Sequence, residues 1–182
     1  MGEYCGAFLI ALAASWVITP WYSKIARKWG FVDKPNPRRV NKVPVPNGGG
    51  LVIILAFWLA VLLTGTQHSA VRGLMIGSLI IGITGLVDDR FGLRPCLKLM
   101  GQILAALAVV TNGTVIHFAT NPFGGMIYLG WLGAPLTILW IVAVINMFNF
   151  IDGLDGLAAG VAVIACMPLF SVAHELGYGF VA

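Results

Sequence analysis

This sequence predicts an all-α, polytopic membrane helix bundle of about six spans, on three observations. Of its 182 residues 59% are apolar and 10% charged, whereas a soluble domain carries about 25% charged residues. Mean hydropathy is +0.91. The remaining charges are gathered into short segments between long uncharged runs. A soluble enzyme and a disordered chain are both excluded, the second because disorder needs low hydrophobicity and high charge. At about 20 residues per crossing the length fills one bundle, read as a single transmembrane domain over residues 1–182.

The first span is Tyr4 to Ser23. Lys24, Arg27 and Lys28 follow it, the reverse of a cleaved signal peptide, whose basic residues come first. A second span covers Gly49 to Thr64 and a third Gly73 to Val87, the latter short enough to need snorkelling by Arg72 at one end and by carboxylates at the other. From Leu99 to Ile151 nothing is charged, yet Asn112-Gly113, Asn121-Pro122 and Gly124-Gly125 interrupt the run. These turn signals bracket β-prone pieces at Val115 to Phe118 and Met126 to Leu129, which predicts a small extracytoplasmic hairpin. It separates a fourth span, Lys98 to Val110, from a fifth, Ala134 to Phe148. A sixth runs from Gly156 to Ala173, with Pro168 expected to kink it or end it early.

Smaller features have packing readings. Gly73-x-x-x-Gly77 and Gly156-x-x-x-Gly160 are expected to let helices approach closely inside the bundle. Cys5, Cys96 and Cys166 are odd in number and widely spaced in apolar sequence, so they read as small packing residues and not as a disulfide or zinc framework. With the N-terminus outside, Lys24, Arg27, Lys28, Lys34, Arg38, Arg39, Lys42, Arg90, Arg94 and Lys98 share one face, leaving only Arg72 of the 11 basic residues on the other. The positive-inside rule assigns that face to the cytoplasm. The formal charge of +4 then belongs to a membrane surface, with no nucleic acid as partner.

Four of the seven acidic residues form two groups, Asp88-Asp89 after the third span and Asp152 with Asp155 after the fifth. Both groups fall on the basic face. An ionisable residue at membrane depth is costly and marks function by default. The second group closes a row, Asn146-x-x-Asn149-x-x-Asp152-x-x-Asp155. At about 100° per residue its two ends would point apart on a continuous helix, so a break is expected, with Gly153 and Gly156 as permissive backbone. A polar cap at the helix junction accounts for Asp155 but not for all four positions.

Carboxylate groups sharing a cavity repel unless a cation or protons intervene. Oxygen ligands beside amides, with no His or Cys, select Mg²⁺ or Mn²⁺, which makes Asp88, Asp89, Asp152 and Asp155 candidate metal ligands. Such an ion commonly shares its shell with phosphate oxygens. His68, His117 and His174 map to the outer face. The first cytoplasmic loop, Asp33 to Lys42, carries four basic side chains among prolines, and Gly48-Gly49-Gly50 precede the second span. Backbone N–H groups of Gly49 and Gly50 there suit an anion.

Asp33-x-Pro35-x-x-Arg38, Pro44-x-Pro46-x-x-Gly49-Gly50, Gly85-x-x-Asp88-Asp89, Lys98-x-x-x-Gln102 and Asn146-x-x-Asn149-x-x-Asp152-Gly153-x-Asp155-Gly156-Leu157 together resemble the polyprenyl-phosphate N-acetylhexosamine-1-phosphate transferases. The likeness covers nearly the whole chain and is nearest to the undecaprenyl-phosphate GlcNAc-1-phosphate branch; the phospho-MurNAc-pentapeptide translocases are relatives. It implies a Mg²⁺-dependent reaction in which an oxygen of undecaprenyl phosphate attacks the sugar-linked phosphorus of a UDP-N-acetylhexosamine, giving a lipid diphosphate sugar and UMP. The implied setting is the cytoplasmic face of the bacterial inner membrane, with the bilayer and a homodimer as candidate partners.

By the same resemblance Asp88 and Asp89 handle the lipid phosphate, and Asn149, Asp152 and Asp155 line the nucleotide-sugar and metal site, the four aspartates being the catalytic candidates. Lys42 and Lys98 would bind phosphates, with Asn146, Gly49 and Gly50 beside them. Family members run to about twice this length and carry a later Gly-Asp motif and a His-rich loop, so the chain is expected to match their N-terminal part. Asn41 stands where many members have His. The alternatives are a non-catalytic fragment and an ion or proton transporter; transport predicts acids near the membrane midplane and broken helices in both halves.

Overall fold

The computed structural model describes residues 2–33, 43–65, 68–152, 154 and 156–178. All six expected helices are present: α1 (Gly2–Trp29), α2 (Gly49–Thr64), α3 (Ser69–Phe91), α4 (Pro95–Thr111), α5 (Gly133–Ile151) and α6 (Leu157–Glu175). Four segments are long and apolar enough to cross a membrane, Tyr4–Trp29, Ser69–Phe91, Gly130–Ile151 and Leu157–Glu175. The other two helices, α2 and α4, have 16 and 17 residues. They pack lengthwise on longer neighbours, α2 on α1 and α4 on α3.

The surface is that of a lipid-facing bundle. Phe8, Trp16, Leu63, Trp140 and Ile164 are all exposed, whereas the buried positions are small: Ala26, Val52, Ala56, Ala60, Ala105 and Ala106. Hydrocarbon gives helices no hydrophobic reason to associate, so close backbone approach by small residues decides which helices pack. The α3–α4 seam is built this way. A Cβ on Gly77 would stand 3.0 Å from the Ala105 carbonyl oxygen, and one on Gly73 3.1 Å from that of Ala108. Gly101 answers from α4, where a Cβ would strike the Thr84 side chain. The α2–α3 contact is sparser and includes a hydrogen bond from Trp58 Nε1 to Ser78 Oγ at 3.1 Å.

Several sequence expectations need correcting. Gly156-x-x-x-Gly160 is no packing motif among the described residues: nothing lies within 4 Å of a Cβ at either glycine. Of the two effects expected of Pro168, an early end is absent, since α6 continues to Glu175; a proline is tolerated in such a helix because its neighbours and local adjustment can satisfy the freed carbonyl. The cysteines Cys5, Cys96 and Cys166 are free and exposed, not packed. The hairpin exists, but its first strand lies further on than expected: β3 (Phe118–Thr120) pairs antiparallel with β4 (Met126–Tyr128). Residues 114–116 are drawn away from it across the start of α5, where the Ile116 N–H donates to Thr137 Oγ1 at 2.9 Å.

A second ribbon has no counterpart in the sequence reading. β1 (Val32–Asp33) pairs antiparallel with β2 (Val45–Pro46), Val32 opposite Pro46. It carries the chain from the end of α1 to the start of α2. At the far end of the bundle Tyr4 of α1 meets Phe170 and His174 of α6, each with ring centroids 5.6 Å apart.

The seam predicts a contrast. Gly77→Leu should lower stability by about 1–3 kcal/mol through overpacking, whereas Gly160→Leu, entering open space, should stay within about 0.5 kcal/mol. Thermal unfolding of the two variants in detergent measures both.

Candidate functional site

One end of the bundle collects the C-termini of α1, α3 and α5 and the N-termini of α2, α4 and α6. Asp88 and Asp89 arrive in the last turn of α3. Gly92, in a left-handed conformation at φ 63°, ends that helix and turns the chain toward α4. Asp88 latches the turn: its Oδ1 accepts from the Leu93 N–H at 3.0 Å, and its Oδ2 lies 3.0 Å from Lys98 Nζ. Arg90 ties the same helix end to α1, reaching the carbonyls of Trp29 and Gly30 at 3.4 Å and covering the Phe31 ring at 5.3 Å.

Asp89 points to a different set of partners. Its carboxylate lies near the Gly48 N–H and within electrostatic range of Asp88, Lys98 and Asp152. Gly48 has φ 81°, and a Cβ there would collide with the Tyr22 hydroxyl, which itself donates to the Asn47 carbonyl at 2.8 Å. Gly49 and Gly50 follow with open space about them.

The expected break after α5 is present. The helix stops at Ile151, Asp152 forms its exposed C-cap, and α6 starts after Gly156 at φ 77°. Between α4 and α5 lies a cavity of about 450 Å³ lined by Pro95, Lys98, Leu99, Gln102, Asn146, Asn149 and Phe150. Asn149 is exposed at its edge. Asn146 is turned toward α4: its amide donates to Gln102 Oε1 at 2.8 Å and to the Val142 carbonyl at 2.8 Å, and its Oδ1 accepts from Gln102 Nε2 at 3.3 Å.

The fold therefore brings Asp88, Asp89, Lys98 and Asp152 to one end, with Asn149, Gly49 and Gly50 on adjoining helix ends. Lys42 and Asp155 lie outside the described residues. Among the described residues no three His, Cys, Asp or Glu side chains converge closely enough to hold a metal ion. Asp89 and Asp152 nonetheless put two hard anionic oxygen donors within electrostatic range of each other, a set that fits Mg²⁺ or Mn²⁺ in kind. The histidines keep away from this end: His68 caps α3 through its Nδ1, and His174 stacks on Phe170.

Residues 71–181 match the model of glycosyl transferase family 4, a stretch that contains both aspartate groups and the cavity between α4 and α5. The chain belongs to this family. It is 39% identical, over 87% of its length, to a probable undecaprenyl-phosphate N-acetylglucosaminyl 1-phosphate transferase of Bacillus subtilis, covering 45% of that protein. A decaprenyl-phosphate N-acetylglucosaminephosphotransferase of Mycolicibacterium smegmatis is 37% identical over 90% of the chain and 44% of the relative. A phospho-N-acetylmuramoyl-pentapeptide-transferase of Lactobacillus johnsonii is 33% identical over 74% of the chain and 47% of the relative. The chain thus spans about half the length of the curated relatives it matches. No solved structure matches it significantly.

Three residues of this family member's site escaped the sequence reading. Gln102 was visible only as a motif letter, although it is the lone amide in the apolar run of α4 and is 1% exposed. Tyr22 and Arg90 bear no local signal, since their partners lie 25 and 60 or more residues away. Gly48 offers a direct test of how the start of α2 is held against Tyr22. Gly48→Ala, forced into a left-handed conformation against Tyr22, should cost about 1–3 kcal/mol, and Gly50→Ala less than about 0.5 kcal/mol, read from unfolding temperatures in detergent.

Proposed function

We propose that this site transfers N-acetylhexosamine 1-phosphate, GlcNAc 1-phosphate being the first choice, from a UDP-sugar to undecaprenyl phosphate with release of UMP, at the cytoplasmic face of a bacterial inner membrane. The observation that carries the proposal is the meeting of Asp88, Asp89, Lys98 and Asp152 at one end of an apolar bundle. Acids at helix ends beside a lysine suit chemistry on anions arriving from the water phase better than transport along a midplane path. The activities named for the relatives support the same choice.

Two anions must be brought together. An oxygen of the lipid phosphate forms a bond to the sugar-linked phosphorus, the bond from that phosphorus to the UMP oxygen breaks, and UMP leaves with the electron pair. The chief task in phosphoryl transfer is positioning and neutralising the charge. Lys98, fixed by Asp88 at 3.0 Å, supplies one cation, and the basic stretch that includes Lys42 supplies more. Asp88 and Asp89 stand at the lipid-phosphate side. Asn149 and Asp152 at the end of α5 line the nucleotide-sugar side, with Gly49 and Gly50 offering backbone N–H groups. Asp89 and Asp152, joined by Asp155, would hold Mg²⁺ or Mn²⁺, whose chemistry when bound is to offset the diphosphate charge.

The test is to incubate the purified chain in detergent with undecaprenyl phosphate, radiolabelled UDP-GlcNAc and Mg²⁺. A labelled lipid should form, and Asp152→Asn or Lys98→Met should slow it by about 100-fold or more. Chelation should stop it and Mg²⁺ restore it. Unchanged turnover in both variants would remove these residues from the reaction, and absence of labelled lipid would refute the assignment for this chain.

A further inference from the structure

The cavity between α4 and α5 has an unusual floor. Gln102 is 1% exposed and is the largest fully buried side chain among the described residues. Opposite it Asn146 is half-buried and returns two hydrogen bonds, at 2.8 and 3.3 Å. The second Asn146 N–H is spent on the Val142 carbonyl one turn back at 2.8 Å. Both N–H groups of Asn146 are therefore used within the protein, which leaves it no donor for a ligand.

The groups that do face the opening lie one helical turn away on each side. Lys98 precedes Gln102 by four residues on α4, and Asn149 follows Asn146 by three on α5, so each pair shares a helix face. Of the other buried residues of α4, Ala105 and Val109 lie against Gly77 of α3, so they set no register against α5. A reciprocal pair of amides is directional. Sliding one helix past the other would leave a buried amide unpaired, at a cost of about 1–3 kcal/mol, and fixing register is the best-attested use of a buried polar pair.

We infer that the Gln102–Asn146 amide pair is the positioning device of this site, setting the span between Lys98 on α4 and the Asn149–Asp152 end of α5 without touching substrate. The inference rests on the transferase reading for its catalytic consequence, but its structural half stands apart. A displacement of about 1 Å between reacting partners can cost about 100-fold in rate. Loss of the pair should therefore lower kcat far more than it raises KM, because the groups that bind both substrates remain.

The test uses the full chain with Cys5, Cys96 and Cys166 replaced by serine and spin labels at Leu104 and Met147, both exposed on the outer faces of α4 and α5. Three forms are compared: the unaltered pair, Gln102→Leu, and the swap Gln102→Asn with Asn146→Gln, which keeps two amides in contact. The label-to-label distance distribution should be narrow with the pair, at least about twofold broader in Gln102→Leu, and narrowed again in the swap. Transfer of labelled GlcNAc 1-phosphate should follow the same order, with kcat down about 100-fold in Gln102→Leu and KM for each substrate within about twofold. If Gln102→Leu does not fold, Asn146→Asp, which keeps the acceptor and removes the donors, takes its place. An unbroadened distribution overturns the inference whatever the activity. A broadened distribution with unchanged kcat overturns its catalytic half. Broadening together with no labelled lipid from any form refutes the transferase reading and upholds the structural half.

Discussion

The closeness of α3 to α4 is the constraint on which the rest of the structure depends. In an apolar surround there is little to gain by pressing leucine against leucine, so a helix pair holds where backbones touch. Gly73 and Gly77 on one helix and Gly101 on the other permit that contact. The same two helices deliver Asp88 and Asp89 on one side and Lys98 on the other. With the seam closed, the 3.0 Å pair between Asp88 and Lys98 follows from the turn at Gly92.

Polar ties then add the other helix ends in sequence. Asp89 stands beside Gly48 at the start of α2, and Arg90 takes the end of α1. The buried amides of Gln102 and Asn146 join α5. None of these ties is individually large; an ion pair as exposed as Asp88–Lys98 is worth about 0–1 kcal/mol. Their importance is directional: they bring acidic and basic groups from distant parts of the chain to one end, while packing by small residues supplies the cohesion.

Much of this was legible in the sequence. Charge-free runs gave the helices because lipid demands continuous apolar segments, and α2 begins and ends where the run does. The break after Ile151 was legible because a row of oxygens at every third residue cannot share a face on a continuous helix. Less legible was anything fixed by a partner elsewhere. Gly156 and Gly160 look like Gly73 and Gly77, yet among the described residues only the second pair meets a neighbouring backbone, which spacing alone does not reveal. Pro168 reads as a kink or an early end, and α6 does not end there but runs on to Glu175. The β1–β2 ribbon is too short to show a strand pattern. Of the candidate site, the aspartates and Lys98 were found by their charge, whereas Tyr22 and the positioning role of Gln102 depended on contacts made only by folding.

The central claim is that two aspartate groups far apart in the chain occupy the same end of the bundle. Its most direct test is the distance between spin labels on cysteines placed at Asp89 and Asp152, in the otherwise cysteine-free chain reconstituted in bilayers. A single short distance, well below the ~30 Å hydrocarbon thickness, is the predicted result. A distance at or above that thickness would set the two groups on opposite faces and contradict the account.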